Sequence, residues 1–292
     1  MIKKAYLFIF IVFGLALLSS CSAKMRGGDS ADKPIVVVTI PPLQYFANCI
    51  GGDRVQVECL TTEASDPETF EPSIQQLRKA SEAEIVLTVG MLPFEEKITS
   101  SVHSSNPDAA IIMLSDSINL IRDTHGEGEM DPHIWLSLRN ARIMARQTCA
   151  AFSKAMPEDS EYFKERLAGF EADIAKLDSC LTMMLASARG KAFVVDHPSF
   201  SYFARDYGLR QIPLGHENKE SSLVGLKTRL ETIKAESPIA FFYSSSVDER
   251  QRESILEILD LPSKAVKPMS SGITYTLSVI GKSLVTYSAQ KQ

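Results

Sequence analysis

From Pro34 onward, short apolar runs alternate with segments of helical period. Ile35-Val36-Val37-Val38-Thr39 reads as a buried strand, and Leu43 to Ile50, after Pro41-Pro42, as a helix. Val55 to Leu60 alternates like a half-buried strand. Helical Ile74 to Ser81 leads into a strand over Ile85 to Gly90, and a short helix over Phe94 to Ser101 precedes a strand over Ala109 to Leu114. A second set starts at Lys191: strand Ala192 to Val195, helix near Phe200 to Tyr207, strand near Gln211-Ile212, amphipathic Leu223 to Ala235, strand Ile239 to Tyr243, helix Ser254 to Leu259 and a short segment around Val266. The second set is expected to be smaller and less regular near its end, and no sequence repeat relates the two. Strands interleaved with helices predict mostly parallel sheets covered on both faces.

Between the sets lies the strongest helical stripe. Phe163, Leu167, Phe170, Ile174, Leu177, Leu181 and Met184 recur by four and three. Pro157 precedes it, acidic residues enrich its first turn, and Arg189-Gly190 can close it. From Asp159 to Ala188 it would span about 45 Å. A coiled-coil seam would need the same face, but a single helix lying against two lobes accounts for it within one chain. The predicted fold class is α/β: two Rossmann-like lobes with mostly parallel sheets, at 34–156 and 191–292, joined by one long rigid helix at 157–190.

The N-terminus adds a compartment. Lys3 and Lys4 precede an apolar run from Ala5 to Leu18, then Ser19-Ser20-Cys21. The run is short for a membrane span and has secretory flanks. Small residues before a cysteine resemble the bacterial lipobox, so residues 1–20 are expected to be a lipoprotein signal peptide. Cys21 is the expected lipidation site and 21–33 a flexible tether. The protein is then extracytoplasmic, periplasmic or at the cell surface, and held to a membrane by acyl chains. The formal net charge of −5, with no basic stripe, excludes nucleic acid as an expected partner. Cys49, Cys59, Cys149 and Cys180 lack CxxC spacing and read as buried thiols or one structural bridge.

Candidate chemistry sits on proline corners. Asp66-Pro67-Glu68 and Asp131-Pro132-His133 each end in a metal-ligand residue type, and His197-Pro198 follows the Ala192–Val195 strand. Proline fixes its own backbone and keeps the preceding residue out of the helical region, so each corner aims its side chain. All three follow strands, where α/β folds bind ligands. Two imidazoles and a carboxylate suit zinc, with one position left for water or a fourth group. Asp131 reads as a turn or supporting group, and Glu71-Pro72 as a helix start with proline at its first position. His216, on a second-lobe loop, is a reserve ligand. His125 lies in an acidic, glycine-containing loop, and His103 reads as a surface residue.

These landmarks resemble the metal-binding solute-binding lipoproteins of bacterial ABC importers that capture zinc or manganese. The resemblance rests on Pro41-Pro42-Leu43, Ser65 to Pro72, Val89-Gly90, Asp131-Pro132-His133-Ile134-Trp135, His197 to Ala204 and Tyr207-Gly208-Leu209. It implies a two-lobe fold with one long helix, a permease partner in the cytoplasmic membrane, and Glu68, His133 and His197 in the first three ligand positions; a monomer is expected. The first position is usually histidine there. The fourth, usually an acid before proline, falls on Lys267 in Val266-Lys267-Pro268-Met269, so that Glu217 or Asp248 would have to substitute, or a water. Zinc is the expected ion, with manganese the alternative. Rival readings are an importer-like adhesin or accessory lipoprotein with a weakened site, and a secreted zinc hydrolase. The latter is disfavoured by the lack of HExxH or an evident general base, and no enzymatic activity is expected.

Overall fold

Strand β1, Ile35–Val38, is the core strand of the first sheet. It pairs in parallel with β2, Gln56–Cys59, on one side and with β3, Ile85–Thr88, on the other, and β4, Ala110–Met113, completes the order β2-β1-β3-β4. This computed structural model describes residues 33–122, 129–214, 223–244 and 247–290. β3 is buried throughout, while the edge strands β2 and β4 are only partly covered; this accounts for the polar alternation of β2, whereas β4 stays apolar along its length. Helix α1, Pro41–Gly51, begins on its own prolines and buries Leu43, Phe46 and Ile50. α2, Ile74–Ser81, and α3, Glu95–Ser105, complete the expected alternation. The start of α2 differs from expectation. Ser73 is the N-cap, in a capping box with Gln76, and Pro72 lies outside the helix.

The second sheet repeats the arrangement. β5, Ala192–Val195, pairs with β6, Arg210–Pro213, and with β7, Phe241–Ser244, and β8, Ser263–Val266, follows in the order β6-β5-β7-β8, all parallel. The two sheets thus share one topology that the sequence does not reveal.

Two helices outside the expected set shape the molecule. α4, Leu138–Ala155, buries Leu138, Ala141, Met144, Ala145 and Phe152. α5, Ser160–Met184, is the expected long helix, extended by a 3-10 turn over Leu185–Ala188. After it come α6, Ser201–Tyr207, α7, Leu223–Ala235, α8, Glu249–Leu259, and α9, Ile273–Gln290. The chain's end is therefore a regular helix, contrary to the expectation of irregularity. Ile273, Leu277, Ile280 and Leu284 of α9 are fully buried. Helix α5 lies against α1 and α4 on the first-lobe side and against α9 on the other. Its stripe residues Phe163, Phe170, Ile174 and Leu181 are spent inside the chain, as the single-helix reading expects. Close approach of α9 requires Gly281, where an added Cβ would lie 2.4 Å from the Leu181 side chain. One apolar core runs from the first sheet through α5 to the inner face of the second. A smaller cluster under α7 and α8, including Leu230, Phe241 and Ile255, covers the outer face.

Among the described residues every cysteine is a free thiol, so no bridge joins Cys49, Cys59, Cys149 and Cys180. Cys180 is exposed, against the expectation of burial. Burial pushes the Cys49, Cys59 and Cys149 thiols up, away from reactive thiolate. No described helix is long and apolar enough to cross a membrane.

Candidate metal centre

The His133 corner is built from backbone outward. After β4 the chain folds back through an antiparallel bridge between Arg122 and Met130, and the Asp131 N–H donates to Ile121 O at 2.8 Å. Asp131 Oδ1 then accepts the His133 N–H at 2.9 Å and faces the ring Nδ1 at the same distance. A carboxylate oxygen can only accept there, so Nδ1 donates, and the neutral imidazole with that tautomer offers its Nε2 lone pair to an ion. Asp131 and His133 are both 4% exposed. Asp131 Oδ2 is buried and has no hydrogen-bond partner among the described residues.

The second lobe holds this corner twice. Tyr202 on α6 donates its hydroxyl to Asp131 O at 2.7 Å and accepts the Ile121 N–H at 3.3 Å. Burial pushes the Tyr202 phenol up to about 12, which keeps it a neutral donor. Trp135, fully buried, donates Nε1–H to Pro268 O at 2.9 Å in the turn after β8. Ser137, the N-cap of α4, also donates to Asp206 of α6, and Arg205 donates to Asn119 O at 2.8 Å.

Glu68 stands on a corner of the same design. Asp66 Oδ1 accepts the Glu68 N–H at 3.0 Å, and Asp66 Oδ2 accepts the Thr69 hydroxyl at 2.7 Å. Phe70 packs edge-on against Phe94 with centroids 5.0 Å apart, and Glu71 pairs with Lys97. Beneath it, buried Glu95 gathers the strand ends. Its carboxylate accepts from Thr39 Oγ1 at 2.6 Å and from the N–H groups of Val89 and Gly90, each at 2.7 Å, and Leu92 at 3.2 Å. Burial pushes this carboxyl up, and the donated bonds pull it back. Gly90, at φ +88°, supplies a backbone turn that an L side chain would strain.

His197 ends β5. The preceding Asp196 accepts the N–H and hydroxyl of Ser244, at 2.8 and 2.7 Å, and so ties β5 to β7. The Ser199 N–H closes the corner on His197 O at 2.8 Å.

The three side chains meet. His133 Nε2 lies 3.2 Å from His197 Nε2 and 4.0 Å from Glu68 Oε1, and His197 Nε2 lies 3.4 Å from the same Glu68 oxygen. Among the described residues this is the group of His, Cys, Asp or Glu side chains with donors close enough to share one ion. A triangle with those edges has its corners about 2.1 Å from a common centre, which is the length of a zinc–nitrogen or zinc–oxygen bond. Two ring nitrogens 3.2 Å apart can face each other only with a proton or a cation between them. Glu68 adds negative charge at the third corner, and its side chain is 41% exposed against 6% for His133.

The remaining expected site residues divide. Asp248 does not join the cluster; it caps α8, its Oδ1 accepting from the N–H groups of Arg250 at 2.9 Å and Gln251 at 3.2 Å. His216, Glu217, His125 and Cys21, with the signal segment, lie outside the described residues. His103 is an exposed residue of α3, as expected. Lys267 extends its ammonium to Glu63 of the first lobe, at 3.9 Å. Glu63 and Asp206 were not singled out from the sequence, and Tyr202 entered only as part of the His197 to Ala204 landmark, with no role assigned; isolated polar residues carry no spacing signal, and only their partners across the fold reveal what they do.

Residues 36–279 match the profile of the family described as zinc-uptake complex component A, periplasmic, ZnuA. The chain belongs to this family. A crystal structure of ZnuA superposes with a TM-score of 0.79 at 30% identity, covering 88% of this chain and 100% of that one. The manganese ABC transporter substrate-binding lipoprotein PsaA of Streptococcus pneumoniae is 26% identical over 269 residues, 88% of this chain and 85% of the relative. The iron ABC transporter substrate-binding lipoprotein MtsA of Streptococcus pyogenes is 26% identical over 273 residues, 89% of this chain and 87% of the relative. Zinc, manganese and iron all occur in these names, so membership of the family does not by itself choose the ion.

Proposed function

We propose that this protein captures a divalent metal ion between Glu68, His133 and His197 and delivers it to the permease of an ABC importer. The observation that carries the reading is the donor triangle with its 3.2, 3.4 and 4.0 Å edges, drawn from three loops of two lobes. We take zinc as the ion. Two imidazoles and one carboxylate are a borderline-soft set, and three protein donors leave one tetrahedral position for water. Manganese prefers more oxygen ligands and is the alternative supported by the relatives' names. The lobes are read as 34–156 and 191–292 with the helix segment 157–190 between them. Cys21 is read as the lipid attachment point that keeps the protein outside the cytoplasmic membrane. The metal is cargo, and no catalytic step is assigned to the site.

Parallel calorimetric titration of chelator-stripped protein with zinc and manganese tests the reading. We expect about one zinc per chain, bound more tightly than manganese, and a loss of more than about 100-fold in affinity for H133A, since a ligand should matter more than the groups supporting it. E68Q, at the exposed corner, should lose about ten-fold. Zinc binding unchanged in an H133A/H197A double variant would remove the site.

A further inference from the structure

The loop after β2 carries Glu63 as well as Glu68, and Glu63 reaches the other lobe. Its Oε1 accepts the Ser270 hydroxyl at 3.0 Å and the Ser271 N–H at 3.3 Å, while Oε2 lies 3.9 Å from Lys267 Nζ. Residues 267–271 form the turn between β8 and α9. Ser270 N–H and Thr276 Oγ1 both donate to Lys267 O, at 3.1 and 3.3 Å, and the Gly272 N–H donates to Ser270 Oγ at 3.1 Å. The turn is therefore one stiff unit. Its Pro268 carbonyl takes the Trp135 N–H, and the Trp135 ring lies 5.2 Å from that of His133. The same turn is thus held by the His133 corner on one side and by the Glu68 loop on the other.

The two attachments differ in how easily they open. Trp135 is fully buried, whereas the side chains of Glu63 and Lys267 are 44% and 67% exposed. Exposed charged contacts exchange with water at small cost and are weakened by salt. When Glu63 lets go, the loop bearing Glu68 is free to leave the turn while His133 stays in place. The freed Lys267 ammonium also becomes an unneutralised positive charge on the turn that Trp135 and Glu63 both hold, and positive charge disfavours binding of a cation.

We propose that Glu63 is a positioning residue for metal capture, a strap between the Glu68 loop and the turn after β8 that sets how fast the bound ion leaves. The proposal rests on the metal-capture reading above and deepens it: uptake and release are governed by a charge contact outside the donor triangle.

Stopped-flow mixing of the zinc-loaded full chain with excess chromophoric chelator measures the release rate. Wild type, E63Q, E63A and S270A are compared at about 0.05 and 0.5 M salt, where exposed charges go from weakly to strongly screened. Thermal melts confirm that each variant folds. E63A should release zinc about five- to ten-fold faster than wild type at low salt, and S270A, which loses one neutral bond, about two-fold faster. Salt should speed release from wild type and leave E63Q and E63A nearly unchanged. Release from E63A at the wild-type rate at both salts overturns the strap and leaves the metal site standing. Wild-type protein that takes up no zinc overturns the capture reading itself, and the strap's role with it.

Discussion

At Asp66-Pro67-Glu68 and at Asp131-Pro132-His133 the aspartate Oδ1 accepts the N–H two residues on, at 3.0 and 2.9 Å. Beyond that shared turn the two corners part. Asp131 also faces the His133 ring, is buried, and has its carbonyl held by Tyr202 of the other lobe. Asp66 is exposed, and its second oxygen takes the Thr69 hydroxyl within the same loop. The backbone device aims a side chain in both cases. Only at His133 is the aimed side chain also set in its tautomer and locked from across the cleft. A site with one fixed corner and one exposed corner can keep its ion partly organised while an edge opens, which suits capture followed by delivery.

The largest test of this contrast is D131N. An asparagine oxygen can still accept from the His133 N–H and from Nδ1–H, so the turn survives, but the negative charge that strengthens the imidazole as a ligand is lost. The amide N–H₂ also enters the buried place where Oδ2 has no partner. Outer groups of this kind are worth about 10–100-fold in metal affinity, and calorimetry should record that loss for zinc. Affinity within about two-fold of wild type would mean that Asp131 only shapes the turn.

Y202F comes next. It leaves Asp131 O and the Ile121 N–H without their shared partner, at a cost of about 1–3 kcal/mol in urea unfolding and a few-fold in zinc affinity. It also has a pH signature. The Tyr202 phenol is raised in the folded protein from 10.0 to about 12. Below pH 10 the phenol is neutral in both states. As pH rises through the 10–12 window the unfolded chain loses the proton first, so wild-type stability falls there. Y202F should lack that component of the fall, and equal slopes for the two proteins would dissociate Tyr202 from it.

Much of this architecture was legible because it is written in apolar runs. Buried strands such as Ile85–Thr88 and the heptad-like face of α5 need contiguous or periodic hydrophobic residues. The corners were legible for a different reason: proline restricts the backbone locally, so ligand types beside it stand out. α4 escaped because its buried face mixes Ala141, Ala145 and Thr148 with larger residues, diluting the stripe. α9 carries a regular buried row, Ile273, Leu277, Ile280 and Leu284, set among serines and threonines of modest helix propensity. Packing against α5 and the following 3-10 turn overrides that local preference. The common strand order of the two sheets is invisible for a related reason. Each buried strand demands only apolar character, so topology can repeat without any repeat of residues. Contacts between lobes, such as Tyr202 to Asp131 and Glu63 to Ser271, join residues far apart in the chain and leave no local pattern at all.

D66N is the matching substitution at the exposed corner, and its predicted effect is the smallest. Asparagine makes the same turn, its side-chain oxygen accepting the Glu68 N–H as Asp66 Oδ1 does. The bond from Thr69 to Oδ2 is lost, but both groups are exposed and water replaces it at little cost. Zinc affinity should stay within about two-fold of wild type, against the 10–100-fold expected for D131N. Because the chemical change is identical, the ratio between the two variants isolates what the histidine corner adds to the shared turn: a buried carboxylate against a buried ligand ring. If D66N weakened zinc as much as D131N, the negative charge of both aspartates would be acting on the ion at long range, and the difference in burial between the corners would carry no functional weight.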